Sequence, residues 1–292
     1  MNLGRIKTAI VAFVLVMLCS GTGHAYEETK RYRKFPLGRY RLSLGGYMAA
    51  LDSSVQIGEK SLAAGVVVDT EGALGLDTDL VVFVAKFDAA LGKKRRHHLG
   101  VGWSDFRRSG FNQVTDDIPI GDTTIPTGST VDTDFNFQII SLKYKYSLVR
   151  AKRVWINIDA GAFVMPLEFR SEFKAPGFGL QVAANESITA PLPVVGLDLW
   201  VALTPRLLLY QNVDVFYLKI GDFTGDIIDF GIGLEYQINK YFGIGGGYNF
   251  FDLQIDAETT PYPGVDLVGT VNFSFSGVFF YAAVNWGDRL GR

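Results

Sequence analysis

Ile228, Phe230, Ile232, Leu234, Tyr236 and Ile238 alternate without a break with Asp229, Gly231, Gly233, Glu235 and Gln237. Successive side chains of a strand point to opposite faces, so this stretch has one apolar face and one that is polar or bare. Working outward, ten such stretches can be read: 39–57, 79–91, 98–112, 131–148, 154–172, 191–203, 207–220, 227–238, 242–257 and 267–286. Links after the even-numbered stretches are tight: Gly92 to His97, Val149 to Arg153, Thr204 to Arg206 and Asn239 to Tyr241. Links after the odd-numbered ones are longer and rich in Gly, Pro, Thr and Asp, except the short Gly221 to Asp226. Short turns at one end and longer loops at the other are the plan of a transmembrane β-barrel, turns periplasmic and loops extracellular. The expected fold class is all-β: an antiparallel up-and-down transmembrane barrel of about ten strands, or eight if the first stretch or last hairpin is misassigned.

The N-terminus explains how such a chain reaches a membrane. Arg5 and Lys7 precede an apolar run from Ala9 to Leu18, and Gly23 and Ala25 flank His24 at a cleavage point before Tyr26. That run is about half of the ~20 residues a spanning helix needs, so it reads as a secretory signal peptide. The expected organisation is a signal peptide over 1–25, a basic periplasmic segment over 26–38, the barrel over 39–286 and a periplasmic tail over 287–292. The basic residues Lys30, Arg31, Arg33 and Lys34 are expected to form a mobile periplasmic tail. Cys19, the only cysteine, falls in the signal, which leaves the secreted product without disulfides or thiol chemistry. No later run is long enough for a spanning helix, so insertion must use strands.

Charge separates the two ends. The loops with their flanking strand ends (58–79, 113–134, 168–190, 219–229 and 252–266) hold 20 acidic residues against 4 basic. The tight links 92–96, 150–153, 204–206 and 239–241 hold 9 basic residues and no acidic one. Soluble barrels place the apolar set inside and a charged set outside. Here the polar set, such as Trp155, Asn157, Asp159, Gly161 and Phe163, is too weakly charged for a solvated surface and suits a crowded, partly hydrated interior. Tyr40, Tyr144, Tyr146, Trp155, Tyr236, Tyr241, Phe242 and Trp286 fall near periplasmic strand ends, and Phe111, Phe135, Phe169, Phe173, Phe250 and Phe273 near outer ends, as two interfacial belts.

At this point the chain resembles the small outer-membrane β-barrel proteins of the OmpA and OmpW type, from about Arg39 to Trp286. The last stretch places Val278, Phe280, Ala282, Val284 and Trp286 on one face. Phe280, Val284 and the aromatic Trp286 are similar to the terminal signal that family members present to the barrel-assembly machinery. The tail Gly287 to Arg292 departs from that pattern. The resemblance implies a bacterial outer-membrane location, with membrane lipids and lipopolysaccharide as surroundings, and identifies an architecture without an activity.

Within the lumen the alternation places Lys86, Asp88, Lys143, Lys145, Asp159, Asp198, Asp214, Asp229 and Glu235. A turn pairing Leu148 with Val154 would set Lys143 opposite Asp159, an ion pair between neighbouring strands. Other chemistry finds little support. Gly243, Gly245, Gly246 and Gly247 meet a Tyr at 248 where the dinucleotide fingerprint needs glycine, and Gly231, Gly233, Gly243, Gly245 and Gly247 instead share the inward face, leaving room for large neighbours. The acidic loop residues lack the spacing of a calcium loop. Hydrolases of this architecture commonly use a histidine base, but His97 and His98 adjoin the basic Lys93–Arg96 turn and read as a solvated pair. No enzyme activity, cofactor, metal or nucleic acid is expected. The first functional expectation is a monomeric, narrow, passive channel for small cationic solutes or a structural envelope component, the acidic rim concentrating cations. The alternative is a surface interaction protein whose acidic loops bind a partner or lipopolysaccharide through divalent cations while the lumen stays closed.

Overall fold

In a computed structural model, residues 35–57, 66–69, 79–113, 118–120, 123–125, 127–175, 180–220, 223–257 and 269–287 are described. The expected signal peptide, Lys30 to Lys34 and the tail beyond Gly287 lie outside the described residues. The strands are β1 (Tyr40–Ile57), β2 (Val66–Asp69), β3 (Asp79–Leu91), β4 (His97–Gln113), β5 (Ile118–Ile120), β6 (Thr123–Ile125), β7 (Thr130–Arg150), β8 (Val154–Ala175), β9 (Leu180–Ala202), β10 (Leu207–Ile220), β11 (Phe223–Gln237), β12 (Phe242–Ala257) and β13 (Gly269–Trp286). β1, β3, β4 and β7 to β13 form one antiparallel meander, closed where β1 pairs β13 from Tyr40↔Trp286 to Ile57↔Gly269. β2 extends the outer end of β1, and β5 and β6 make a separate small hairpin. The protein is a closed ten-strand barrel.

The alternation sets the two faces. Leu234 and Ile244 are 47% and 52% exposed on the outside, whereas Glu235 on the opposite face is 0% exposed. An apolar outside and a polar inside are what a barrel in lipid requires, and closure of β1 on β13 leaves the sheet without a free edge there.

Three strands are much longer than a bilayer needs. β7, β8 and β9 have 21, 22 and 23 residues, against about 9–11 for a tilted transmembrane strand. Their loop-side halves therefore rise beyond the membrane. β8 and β9 stay paired out to Ala175↔Leu180, but β9 pairs β10 only from Ala202↔Leu208 to Val195↔Val215. Pro193 and Pro191, which have no N–H for a ladder, follow on β9 just past that point. The expectation that 173–190 is a loop is corrected: β9 begins at Leu180. Above the membrane a strand needs no apolar outer face, so Asn185, Glu186 and Ser187 carry no barrel signature.

The expected pairing of Leu148 with Val154 is also corrected. β7 runs to Arg150, Ala151 donates to the Val154 carbonyl at 2.9 Å, and a bulge at Ser147/Val149 absorbs Leu148. Beyond the bulge the register sets Lys145, not Lys143, opposite Asp159, and Lys143 opposite Gly161.

Candidate functional site

The lumen is built in layers. At the periplasmic mouth, Phe35 and Leu37 fold back under the barrel, 1% and 6% exposed, with Ala90, Ala202 and Leu208 around them. Phe35 stacks on Trp155 with ring centroids 4.0 Å apart, which makes Trp155 part of a floor and not of an interfacial belt. The Ala90 amide donates to the Arg39 carbonyl at 2.8 Å, and Arg39 Nε returns a bond to the Ala90 carbonyl at 3.1 Å, tying the segment to β3.

Above the floor lies a belt of charges that face one another across the lumen. Arg41 donates from both terminal nitrogens to Glu235, the Nη1 bond being 2.8 Å. Glu235 also accepts from the Tyr281 hydroxyl at 2.7 Å and the Gln237 amide at 2.5 Å. The guanidinium lies 5.3 Å from the Trp200 ring centroid and 5.7 Å from that of Tyr281, positions that suit cation–π attraction. Lys145 pairs with Asp198 at 2.7 Å and Asp88 at 3.2 Å, joining β7 to β9 and β3. Lys143 is bonded to Asp214 on β10, and Asp159 stands 4.0 Å from the same ammonium. The expected Lys143–Asp159 contact is thus present, but it is diagonal and secondary. Gly196 makes room for these carboxylates, since a Cβ there would lie 2.3 Å from Asp214 Oδ1 and 2.8 Å from Asp159 Oδ1. Asp229 accepts from Asn249 at 2.6 Å, and Lys86 lines the same space. A cavity of about 240 Å³ runs from the floor at Leu37 and Trp155, past the belt charges, to Phe106, Phe251 and Phe275 of the layer above. Lys86, Asp88, Lys143, Lys145, Asp198 and Asp229 line this space, and Asp159, Asp214 and Glu235 are buried beside it.

That upper layer is apolar. Phe106, Phe137, Phe251, Phe273 and Phe275 converge from β4, β7, β12 and β13, each 1–6% exposed, with Phe163, Met165, Leu192 and Leu253 beside them. Phe106 and Phe137 stack at 4.3 Å, Phe251 and Phe275 at 4.9 Å, and Phe273 meets Phe137 edge-on at 4.5 Å. Stacked and edge-on ring contacts of this kind are how aromatic side chains pack in a protein interior. Phe273 and the partly buried Phe135 therefore belong to a plug and not to the expected outer belt; Phe111 does face outward, 68% exposed. The side chains of Phe169 and Phe173 lie outside the described residues.

No family model matches the sequence, and no curated protein matches it. Among solved structures, the outer membrane protease OmpT from Escherichia coli is similar over 85% of this chain and 96% of its own, with TM-score 0.51 and 10% identity. The chain has the fold of an outer-membrane β-barrel. The translocator domain of the autotransporter NalP from Neisseria meningitidis covers 97% of both chains at 10% identity and TM-score 0.45. The attachment invasion locus protein Ail of Yersinia pestis covers 84% of this chain and 99% of its own, at 13% and 0.30. These likenesses concern fold alone.

Within this outer-membrane barrel, Phe280, Val284 and Trp286 project outward from β13, 62%, 36% and 40% exposed. Trp286 packs against Tyr40 and Phe87, with centroids 5.8 and 6.0 Å away, at the seam where the barrel closes. The histidines part company. His97 faces outward and bonds the Tyr144 hydroxyl, while His98 is not solvated: it is buried in the lumen, its Nε2 3.0 Å from Ser147 Oγ. Ser147 in turn donates to Asn157 at 2.7 Å.

Sequence reasoning missed Arg41, Tyr281 and the plug. Parity would have found Arg41 and Tyr281, since Leu42 and Leu44 face out on β1 and Phe280 and Ala282 on β13. The inward glycines gave a usable signal: a Cβ at Gly245 or Gly233 would lie 2.5 or 2.6 Å from the hydroxyls of Tyr281 and Tyr210.

Proposed function

We propose that this outer-membrane barrel keeps its lumen closed and acts through its extracellular surface, binding a partner or lipopolysaccharide there, and does not pass solute. The observation that carries the reading is the aromatic plug, whose rings converge across the lumen from β4, β7, β12 and β13, with Arg108 and Thr133 buried on its loop side. Floor and belt agree with it. Phe35 and Leu37 are buried at the periplasmic mouth, and Arg41, Lys143 and Lys145 are engaged with carboxylates of other strands, as cross-braces are. The surface that remains for function is the raised β7–β9 wall with the acidic loops, whose 20-to-4 excess favours association through divalent cations. The reading is non-catalytic: His98 is enclosed near the periplasmic end, far from that surface in the fold. Vesicles carrying folded protein should not swell in isotonic solutions of small sugars or amino acids. Swelling at rates proportional to protein content would restore the narrow-channel reading.

The same proposal assigns Phe280, Val284 and Trp286 to assembly. Trp286→Ala should lower the yield of heat-modifiable, folded barrel several-fold, whereas removing 288–292 should not, because the aromatic closes the lipid face of the last strand at its interface. Loss of folded barrel on trimming the tail, with Trp286→Ala unaffected, would refute it.

A further inference from the structure

We propose that the β3–β4 and β7–β8 turns together form a binding site for the headgroup of an anionic phospholipid in the periplasmic leaflet. The basic residues are not spread evenly around the rim. Seven of the nine in the tight links belong to these two turns: Lys93, Lys94, Arg95 and Arg96 on one, Arg150, Lys152 and Arg153 on the other. The remaining turns contribute only Arg206 and Lys240.

The two turns are also joined to each other. Arg150 Nη1 donates to the Lys94 carbonyl at 2.5 Å, and the Ser147 amide to the Arg96 carbonyl at 2.8 Å. These bonds hold like charges side by side with no carboxylate in either link, while Lys93, Lys94, Arg96 and Lys152 stay exposed. Crowded cations at a water-facing edge favour an anion between them, and guanidinium groups match phosphate oxygens in geometry.

The outer wall directly above selects a lipid over a soluble anion. His97 lies 5.9 Å and 5.3 Å from Tyr144 and Tyr146, ring to ring, as a polar aromatic step. Beyond it, farther from the turns, come the exposed aliphatic side chains of Leu99, Val101 and Leu142. Cation, hydrogen-bonding aromatic and hydrocarbon surface follow one another in the order of the phosphate, ester and acyl parts of a phospholipid. Polybasic segments at a membrane surface bind anionic lipid in this way.

Mature protein in micelles holding equal phosphatidylglycerol and phosphatidylcholine, analysed by native mass spectrometry, should retain phosphatidylglycerol several-fold in preference. Lys93→Ala/Lys94→Ala/Arg96→Ala should bring that preference close to unity, and Arg206→Ala/Lys240→Ala should leave it in place. The single change Lys152→Glu gives a second reading should the triple variant lose its folded, heat-modifiable band. Equal retention of both lipids by the unaltered protein overturns the proposal. So does an undiminished preference in the triple variant or in Lys152→Glu. Complete displacement of the lipid by excess inorganic phosphate also overturns it, because the site would then take soluble phosphate without regard to the acyl chains.

Discussion

Glu235→Ala is expected to destabilise the barrel by about 3–5 kcal/mol, the range for removing one partner of a buried ion pair. The carboxylate is fully enclosed and accepts from Arg41, Tyr281 and Gln237, so its loss strands a guanidinium and two neutral donors in the lumen. Arg41→Ala should cost a similar amount by leaving the carboxylate without its cation. Replacing both, as Arg41→Leu with Glu235→Leu, should cost less than the sum, because no buried charge is then orphaned. The pair bridges β1 and β11 across the lumen, next to the β1–β13 seam. Urea titrations of vesicle-bound protein followed by tryptophan fluorescence would measure this. Additive losses in the double replacement would show that the two groups do not act as a unit.

Trimming the plug should weaken the barrel and open it. Phe137→Ala and Phe275→Ala are each expected to cost about 3–5 kcal/mol, as large-to-small changes at buried aromatics do. Phe137 loses its contacts with Phe106 and Phe273, and Phe275 those with Phe251 and Phe106. The void left by both together should extend the existing 240 Å³ cavity toward the loop end of the barrel. The double variant should therefore conduct where the unaltered protein does not, most clearly when Phe35→Ala also thins the floor. Cations should pass in preference, since the extracellular rim carries the acidic excess, and the preference should fade at about 1 M salt, where the screening length is roughly 3 Å. A variant as silent as the parent, with its fold intact, would mean that the plug is not the barrier.

Strand number, the tight turns and the inward charges were legible because each depends on strict alternation, which lipid outside and polar groups inside both enforce. The register of β7 on β8 was not. Leu148 and Val149 are successive apolar residues that both face lipid, 48% and 41% exposed, and alternation cannot tell which of two such residues is the inserted one. The plug escaped for a related reason. Phe273 and Phe275 face inward while Val278 and Phe280 face lipid, so β13 is apolar on both faces and composition alone does not distinguish core from membrane. The raised part of β9 escaped because a strand beyond the bilayer is free of the pattern that marks one within it. The fold of Phe35 into the mouth depends on Trp155, which is distant in sequence and carries no local signal.

Planar-bilayer recording of the unaltered, fully folded protein tests the central claim of a closed lumen most directly. The aromatic plug and the Phe35 floor predict an electrically silent membrane over the whole voltage range in which the bilayer is stable. Reproducible unitary steps that scale in number with inserted protein, and keep the same amplitude from one preparation to the next, would contradict it.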